Sequence, residues 1–175
     1  MKIAHLVPIG MLLWLCAAIP TAQAAPCLIV TLTGSGGGPP TFNGLAGPGT
    51  LVQYGDDSNN CNAVKMQFDT GRGTNMRLSQ IGVPVEHLHA IFFTHMHTDH
   101  TEGFADILQL RWHFHSTGPK IAVVCNSDVA TPLGVVISCK KFVSHITTVW
   151  LTLEQFQLVV WAGRFGCGRS LRKSL

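Results

Sequence analysis

The sequence predicts a layered α/β fold. Three observations carry that reading. Short apolar runs rich in β-branched residues recur at residues 27–33, 50–54, 63–69, 90–93 and 120–125; segments of helical period stand between several of them; and Gly, Pro and Asn clusters punctuate the joins. The alternation of strand and helix from about residue 63 to 125 favours layers over an all-β sandwich or a helix bundle.

The 175 residues, 46% hydrophobic and only 12% charged, are those of one globular domain with its own core, far from the disordered class. A formal charge of +3, much of it in Arg164, Arg169, Arg172 and Lys173 near the end, gives no nucleic-acid footprint for the domain as a whole.

Residues 1–24 read as a secretory signal peptide: Lys2, an apolar run from Ile9 to Ile19, Pro20, then the small-residue site Ala22-Gln23-Ala24. The run falls short of the roughly 20 apolar residues of a spanning helix. Cleavage after Ala24 predicts a secreted or periplasmic product without stable membrane association; the alternative is an uncleaved anchor. Of the six cysteines, Cys16 lies in this leader, leaving Cys27, Cys61, Cys125, Cys139 and Cys167, an odd set without a C-x-x-C pair. They read as small buried hydrophobes with one optional disulfide.

In order, residues 27–33 start the mature chain as a strand, and Gly34-Ser35-Gly36-Gly37-Gly38-Pro39-Pro40 follows as a loop. It lacks the Lys-Ser/Thr ending of a P-loop, which speaks against phosphate binding. Residues 50–54 and 63–69 form a hairpin with a long polar turn. Asp69 ends the second strand before Gly71, either as a turn cap or as a group supporting a site from outside it. Residues 74–81 carry Met76, Leu78 and Ile81 on a short helix that Gly82 and Pro84 end. Phe104, Ile107, Leu108 and Arg111 then fall at i, i+3, i+4 and i+7, a helix that Gly118-Pro119 breaks before the strand at 120–125. Past His145 the period is lost; residues 147–161 are apolar, and the end has neither period, so a final strand or two or a frameshifted tail fits.

The chemistry concentrates between residues 90 and 103. An aromatic strand, Ala90-Ile91-Phe92-Phe93, runs into Thr94-His95-Met96-His97-Thr98-Asp99-His100 and then an acidic helix start. Imidazoles and carboxylates are ligands for zinc, manganese or iron, and His-x-His at a strand end aims two rings from one turn at one ion. Asp99 and His100 follow closely enough to hold a second ion, and Asp99 is also placed to orient a metal-activated water. Against this, Asp99 before Glu102 also fits a helix cap. His87-Leu88-His89 and His113-Phe114-His115 share the His-x-His spacing, but lack the full pattern and read as ordinary histidines.

The run from His95 to His100 is similar to the H-x-H-x-D-H signature of the metallo-β-lactamase superfamily. Residues 34–39 resemble the Gly-rich loop of its ribonuclease Z and arylsulfatase-like branch, and Phe68-Asp69-Thr70-Gly71 resembles its D-x-G turn. The match covers about residues 27–145. The resemblance implies an αββα sandwich and a hydrolase using metal-bound hydroxide on an ester-type bond: phosphodiester, sulfate ester, lactone or thioester. It places the first metal, zinc or else manganese or iron, on His95 and His97 and the second on Asp99 and His100, with Asp69 behind the site. His100, where the commonest clinical β-lactamases carry arginine, favours a dinuclear hydrolase over a β-lactamase.

A complete member adds a further His, a bridging Asp and a final His from a second half. Here His145 is the sole histidine after His115, and no strand-end Asp follows Asp128. The expectation is therefore an N-terminal half: a signal peptide at 1–24, the incomplete sandwich at 25–145, and an atypical tail at 146–175, with activity impaired. The expected substrate is a small ester, with no nucleic acid. The alternatives are a non-catalytic fragment binding zinc weakly or not at all, and a ribonuclease Z-like RNA processor, which the export signal and weak charge speak against.

Overall fold

Strand-forming residues are spent on one mixed sheet. The computed structural model describes residues 23–41, 44–115, 120–134, 136–150 and 158–163. In chain order these form β1 (Pro26–Gly34), β2 (Gly49–Asp56), β3 (Val64–Phe68), α1 (Thr74–Gln80), β4 (Ala90–Phe92), α2 (Thr98–Thr101), α3 (Phe104–His115), β5 (Ile121–Asn126), β6 (Val129–Ala130), β7 (Val136–Ile137), α4 (Cys139–Trp150) and β8 (Leu158–Gly163). The sheet order is β1-β2-β3-β4-β5-β8. The first three strands are antiparallel neighbours, and β3, β4, β5 and β8 run parallel.

Period-two alternation decides the two faces. On β5, Ile121, Val123 and Cys125 are buried while Ala122 and Val124 are half-buried. Buried strand residues Leu51, Ile91 and Val123 meet Leu78 of α1, Phe104, Ile107 and Leu108 of α3 and Val143 of α4 in one core. Phe93 anchors it, its ring edge-on to Phe104 at 5.3 Å and to Phe142 at 6.2 Å. Arg111, buried on α3, donates to the Val85 carbonyl (2.7 Å) and the Leu88 carbonyl (3.2 Å), tying the helix to the segment before β4. The guanidinium pKa is lowered from its ordinary value by burial, with Glu86 acting in the opposite sense.

The second face carries Val52, Met66, Phe68, Ala90, Phe92, Ala122 and Val124, all half-buried, and continues into exposed Leu28, Val30 and Leu32 on β1. Its apolar composition is that of a face between layers. The described residues thus supply one helix layer and one sheet of an αββα sandwich, the fold class that the sequence predicts.

Several expectations change. The single helix expected after the histidine cluster is two, α2 and α3, because Gly103 sits where a Cβ would lie 2.5 Å from the Gly71 carbonyl oxygen and the chain turns between them. Two disulfides form rather than one, Cys27–Cys61 and Cys125–Cys139. The boundary expected at residue 145 falls inside α4, and β8, from the tail, extends the sheet by pairing with β5 over Leu158–Gly163. Residues 1–22 of the expected signal peptide, the expected Gly118-Pro119 break and residues 164–175 lie outside the described residues. Among the described residues no helix is long and apolar enough to cross a membrane.

Candidate metal centre

Parallel strands β3, β4 and β5 end along one edge of the sheet, and the chemistry gathers there. Asp69 follows β3, Thr94 and His95 follow β4, and Asn126 closes β5. The carboxyl ends of parallel strands are where connecting loops diverge and leave room for a ligand.

Asp69 is the hub. Its backbone is left-handed, φ 54°, a conformation that Asp adopts more readily than most residues. The turn is pinned on both sides: its N–H donates to the Phe92 carbonyl (2.7 Å), and Gln67 Nε2 donates to its carbonyl (2.8 Å). The side chain, with the residue only 7% exposed, reaches outward to other loops. Oδ1 accepts the Thr94 N–H at 2.8 Å; Oδ2 accepts the Thr94 hydroxyl at 2.8 Å and lies 2.8 Å from His100 Nδ1. Between the two roles weighed for Asp69, these bonds are those of a group supporting its neighbours.

Those contacts set the tautomers. An ionised carboxylate only accepts, so His100 carries its proton on Nδ1 and leaves the Nε2 lone pair free. The Thr94 hydroxyl has one proton, spent on Asp69, so towards His95 Nδ1, 3.1 Å away, it accepts. His95 therefore also carries its proton on Nδ1 and presents Nε2 as a lone pair. Burial first, then the nearby His100 and His97 rings, lower the His95 pKa from its ordinary value, against the pull of Asp69 and Asp99. The direction of that shift favours the neutral imidazole, the form that binds metal.

The donors face one another in two pairs. His95 Nε2 stands 3.0 Å from His97 Nδ1, and His100 Nε2 stands 3.5 Å from Asp99 Oδ2. Two ligands of one tetrahedral zinc, each about 2.1 Å from it, are separated by roughly 3.4 Å. In donor type and spacing both pairs fit two ligands of a divalent ion. Among the described residues, no three such side chains converge on a single ion. The His95 and His100 rings, 4.0 Å apart between centroids, bring the two pairs side by side.

Glycines let the supporting loops close up. Asp99, 4% exposed, accepts the Gly38 N–H at 2.9 Å, so the Gly-rich loop after β1 serves the carboxylate. Arg72 holds that loop by donating to the Pro39 carbonyl (2.7 Å) and pairs with Glu102. Beneath, a Cβ at Gly71 would lie 2.5 Å from the Asp99 carbonyl oxygen, and one at Gly47 2.7 Å from the Arg72 nitrogen. Only glycine permits that approach.

The His95–His97 side opens on a cleft of about 150 Å³, walled by Asn126, Ser127, Val129, Ile137 and Cys139. Asn126 Nδ2 donates to the Thr94 carbonyl at 2.8 Å, and the Cys125–Cys139 disulfide fixes the start of α4 to the end of β5. The structure thus gathers His95, His97, Asp99, His100 and Asp69 at one place. Sequence reasoning missed Thr94, Asn126 and the Gly38 N–H. Thr94 had one signal, its place between a strand and the first histidine. His87 and His89 lie at the other end of the strands, and His113 is exposed on α3.

Residues 59–160, more than half of the 175, match the family model of the anti-Pycsar protein Apyc1. This chain belongs to that family. The match runs past residue 145, so family sequence extends into the segment expected to be atypical. In fold the Apyc1-family chain resembles metallo-β-lactamase fold proteins. A ribonuclease Z from Mycobacterium sp. strain KMS is 36% identical over 83 residues, 47% of this chain and 26% of the relative. One from Mycobacterium avium strain 104 is 37% identical over 83 residues, 47% of this chain and 27% of the relative. The chain spans only about a quarter of the length of these relatives.

Solved structures agree on the fold. The metallo-β-lactamase fold protein YhfI of Bacillus subtilis matches 78% of this chain and 47% of its own, at TM-score 0.55 and 21% identity. The short form of human tRNase Z matches 75% and 44%, at TM-score 0.55 and 21% identity. A diphosphatase of the PhnP family matches 79% and 51%, at TM-score 0.54 and 19% identity. The expectation of a small-molecule substrate and no nucleic acid stands against relatives named for ribonuclease activity.

Proposed function

We propose that this chain is a metal-dependent hydrolase of phosphodiester bonds. His95 and His97 hold one divalent ion, zinc before manganese or iron, and Asp99 and His100 hold a second. The observation that supports this most is the Asp69 hydrogen-bond set, which keeps the ring protons of His95 and His100 on Nδ1 and turns their Nε2 lone pairs towards the side where the donors pair, that of His95 facing His97 Nδ1 at 3.0 Å. Structural histidines have no need of that arrangement; metal-ligating ones do.

When bound, the metal supplies a water acidified towards neutral pH and a clamp on the oxygens of the ester. The chain's own part is orientation. Asp69 keeps a proton on His100 Nδ1 directly and on His95 Nδ1 through Thr94. Gly38 fixes Asp99 Oδ2, so that Asp99 also serves to orient the attacking water. Among ester-type bonds the phosphodiester leads because the sequence relatives carry the name ribonuclease Z, and RNA accordingly replaces the small ester as first candidate substrate. Sulfate esters, lactones and thioesters follow. The signal-peptide pattern of residues 1–24 supports a periplasmic or secreted mature protein.

A second reading, a chain that binds zinc weakly and turns nothing over, is favoured by one observation: the described donors come in pairs, not threes. Hydrolysis of bis(p-nitrophenyl) phosphate, a small RNA and p-nitrophenyl sulfate, with zinc and with chelator, separates the two. Chelator-sensitive cleavage of the phosphodiesters supports the enzyme. No cleavage of any substrate at saturating zinc overturns it.

A further inference from the structure

The opposite edge of the sheet holds a second polar cluster, which the centre at the carboxyl ends does not use. Asn62 precedes β3, His89 precedes β4 and Lys120 precedes β5, so the amino ends of these parallel strands meet around one cleft of about 380 Å³. Lys65, Glu86 and His87 complete its polar lining.

Lys65 is the unusual member. It is 8% exposed, on the helix-facing side of β3, and its ammonium makes one long contact, to the Asn62 carbonyl at 3.5 Å. A buried ammonium has three donors to satisfy and is costly without an anion; among the described residues it has no carboxylate partner within ion-pair distance. His89 adds a donor, because its Nδ1 accepts the Lys65 N–H at 3.1 Å and a neutral ring then carries its proton on Nε2. Glu86 is the opposing charge. It lies within electrostatic reach of the Arg111 guanidinium, which gives it a cation other than the two lysines.

We propose that this cleft is an anion site that takes a phosphate group between Lys65 and Lys120, with His89 as a neutral donor. The source is free phosphate or a phosphate monoester of a small molecule; the cleft lies in the range of small-molecule sites, about 300–1,000 Å³, and has room for what an ester carries. The site is independent of the metal centre, because the two lie at opposite ends of β3, β4 and β5.

Calorimetric titration of the chelator-treated full chain at constant ionic strength tests this, with inorganic phosphate and phenyl phosphate as probes. Lys120→Ala, an exposed change that leaves the core alone, is expected to weaken binding at least tenfold, and Lys65→Met to do the same. A His95→Ala/His97→Ala double variant is expected to bind as the parent does. If Lys65→Met does not fold, Lys120→Ala and His89→Phe decide. Tighter binding of phenyl phosphate assigns an ester as the source; tighter binding of inorganic phosphate assigns the free ion. Binding of neither probe, undiminished binding in Lys120→Ala, or loss of binding in the double histidine variant overturns the proposal.

Discussion

The Asp69 carboxylate lies 2.8 Å from His100 Nδ1 while also receiving the Thr94 N–H and hydroxyl, each at 2.8 Å. One buried group after β3 thereby orients a side chain on α2 and the loop after β4. Replacing it disturbs both donor pairs at once. Asp69→Asn keeps the left-handed backbone accessible but loses the charge and offers a mixed donor and acceptor. Zinc affinity is expected to fall about 10- to 100-fold with the far-ultraviolet circular dichroism unchanged, as calorimetry and spectra will show.

Thr94 acts on His95 through its hydroxyl. Thr94→Val preserves the shape and removes the relay, freeing His95 to place its proton on either nitrogen. The expected outcome is a loss of zinc affinity smaller than that of Asp69→Asn, restored by Thr94→Ser. Equal affinity in the Val and Ser variants contradicts the relay.

Packing beneath the centre depends on Gly71, where a Cβ would lie 2.5 Å from the Asp99 carbonyl oxygen. Gly71→Ala is expected to cost about 1–3 kcal/mol as the loops are forced apart. Thermal unfolding measures the loss. A melting temperature equal to that of the parent refutes the close approach.

The Cys125–Cys139 disulfide closes a separation of 14 residues between β5 and α4. Loop-closure entropy assigns such a bridge about 3 kcal/mol. Cys125→Ala/Cys139→Ala is expected to unfold at correspondingly lower denaturant. Reductant also opens Cys27–Cys61, so it should lower the parent by more than it lowers the variant and bring the two together.

Much of this was legible in the sequence for physical reasons. Strands β1 to β5 announce themselves through β-branched runs bounded by turn residues, and the His95–His100 run sits where a buried strand must end. Helix α4 was not read, although Cys139, Phe142, Val143, Ile146 and Thr147 fall at helical spacing; dividing the chain near His145 cut that pattern in two. The β6–β7 hairpin has two-residue strands, too short for any period to show. Gly34 to Pro40 was weighed as a phosphate loop, whereas its role is to deliver the Gly38 N–H to Asp99, a contact across 61 residues that no local pattern encodes. Thr94 was passed over for the same reason: its function lies in the direction of one hydroxyl proton.

The most direct measurement of the central claim is zinc titration of the purified full chain, parent against His95→Ala and His100→Ala, followed by calorimetry and by metal analysis after gel filtration. The account predicts that the parent retains zinc, that each variant loses affinity by at least tenfold, and that a His95→Ala/His100→Ala double variant retains none. A parent that binds no zinc, or variants that bind it as the parent does, contradicts the assignment of His95, His97, Asp99 and His100 as a metal centre.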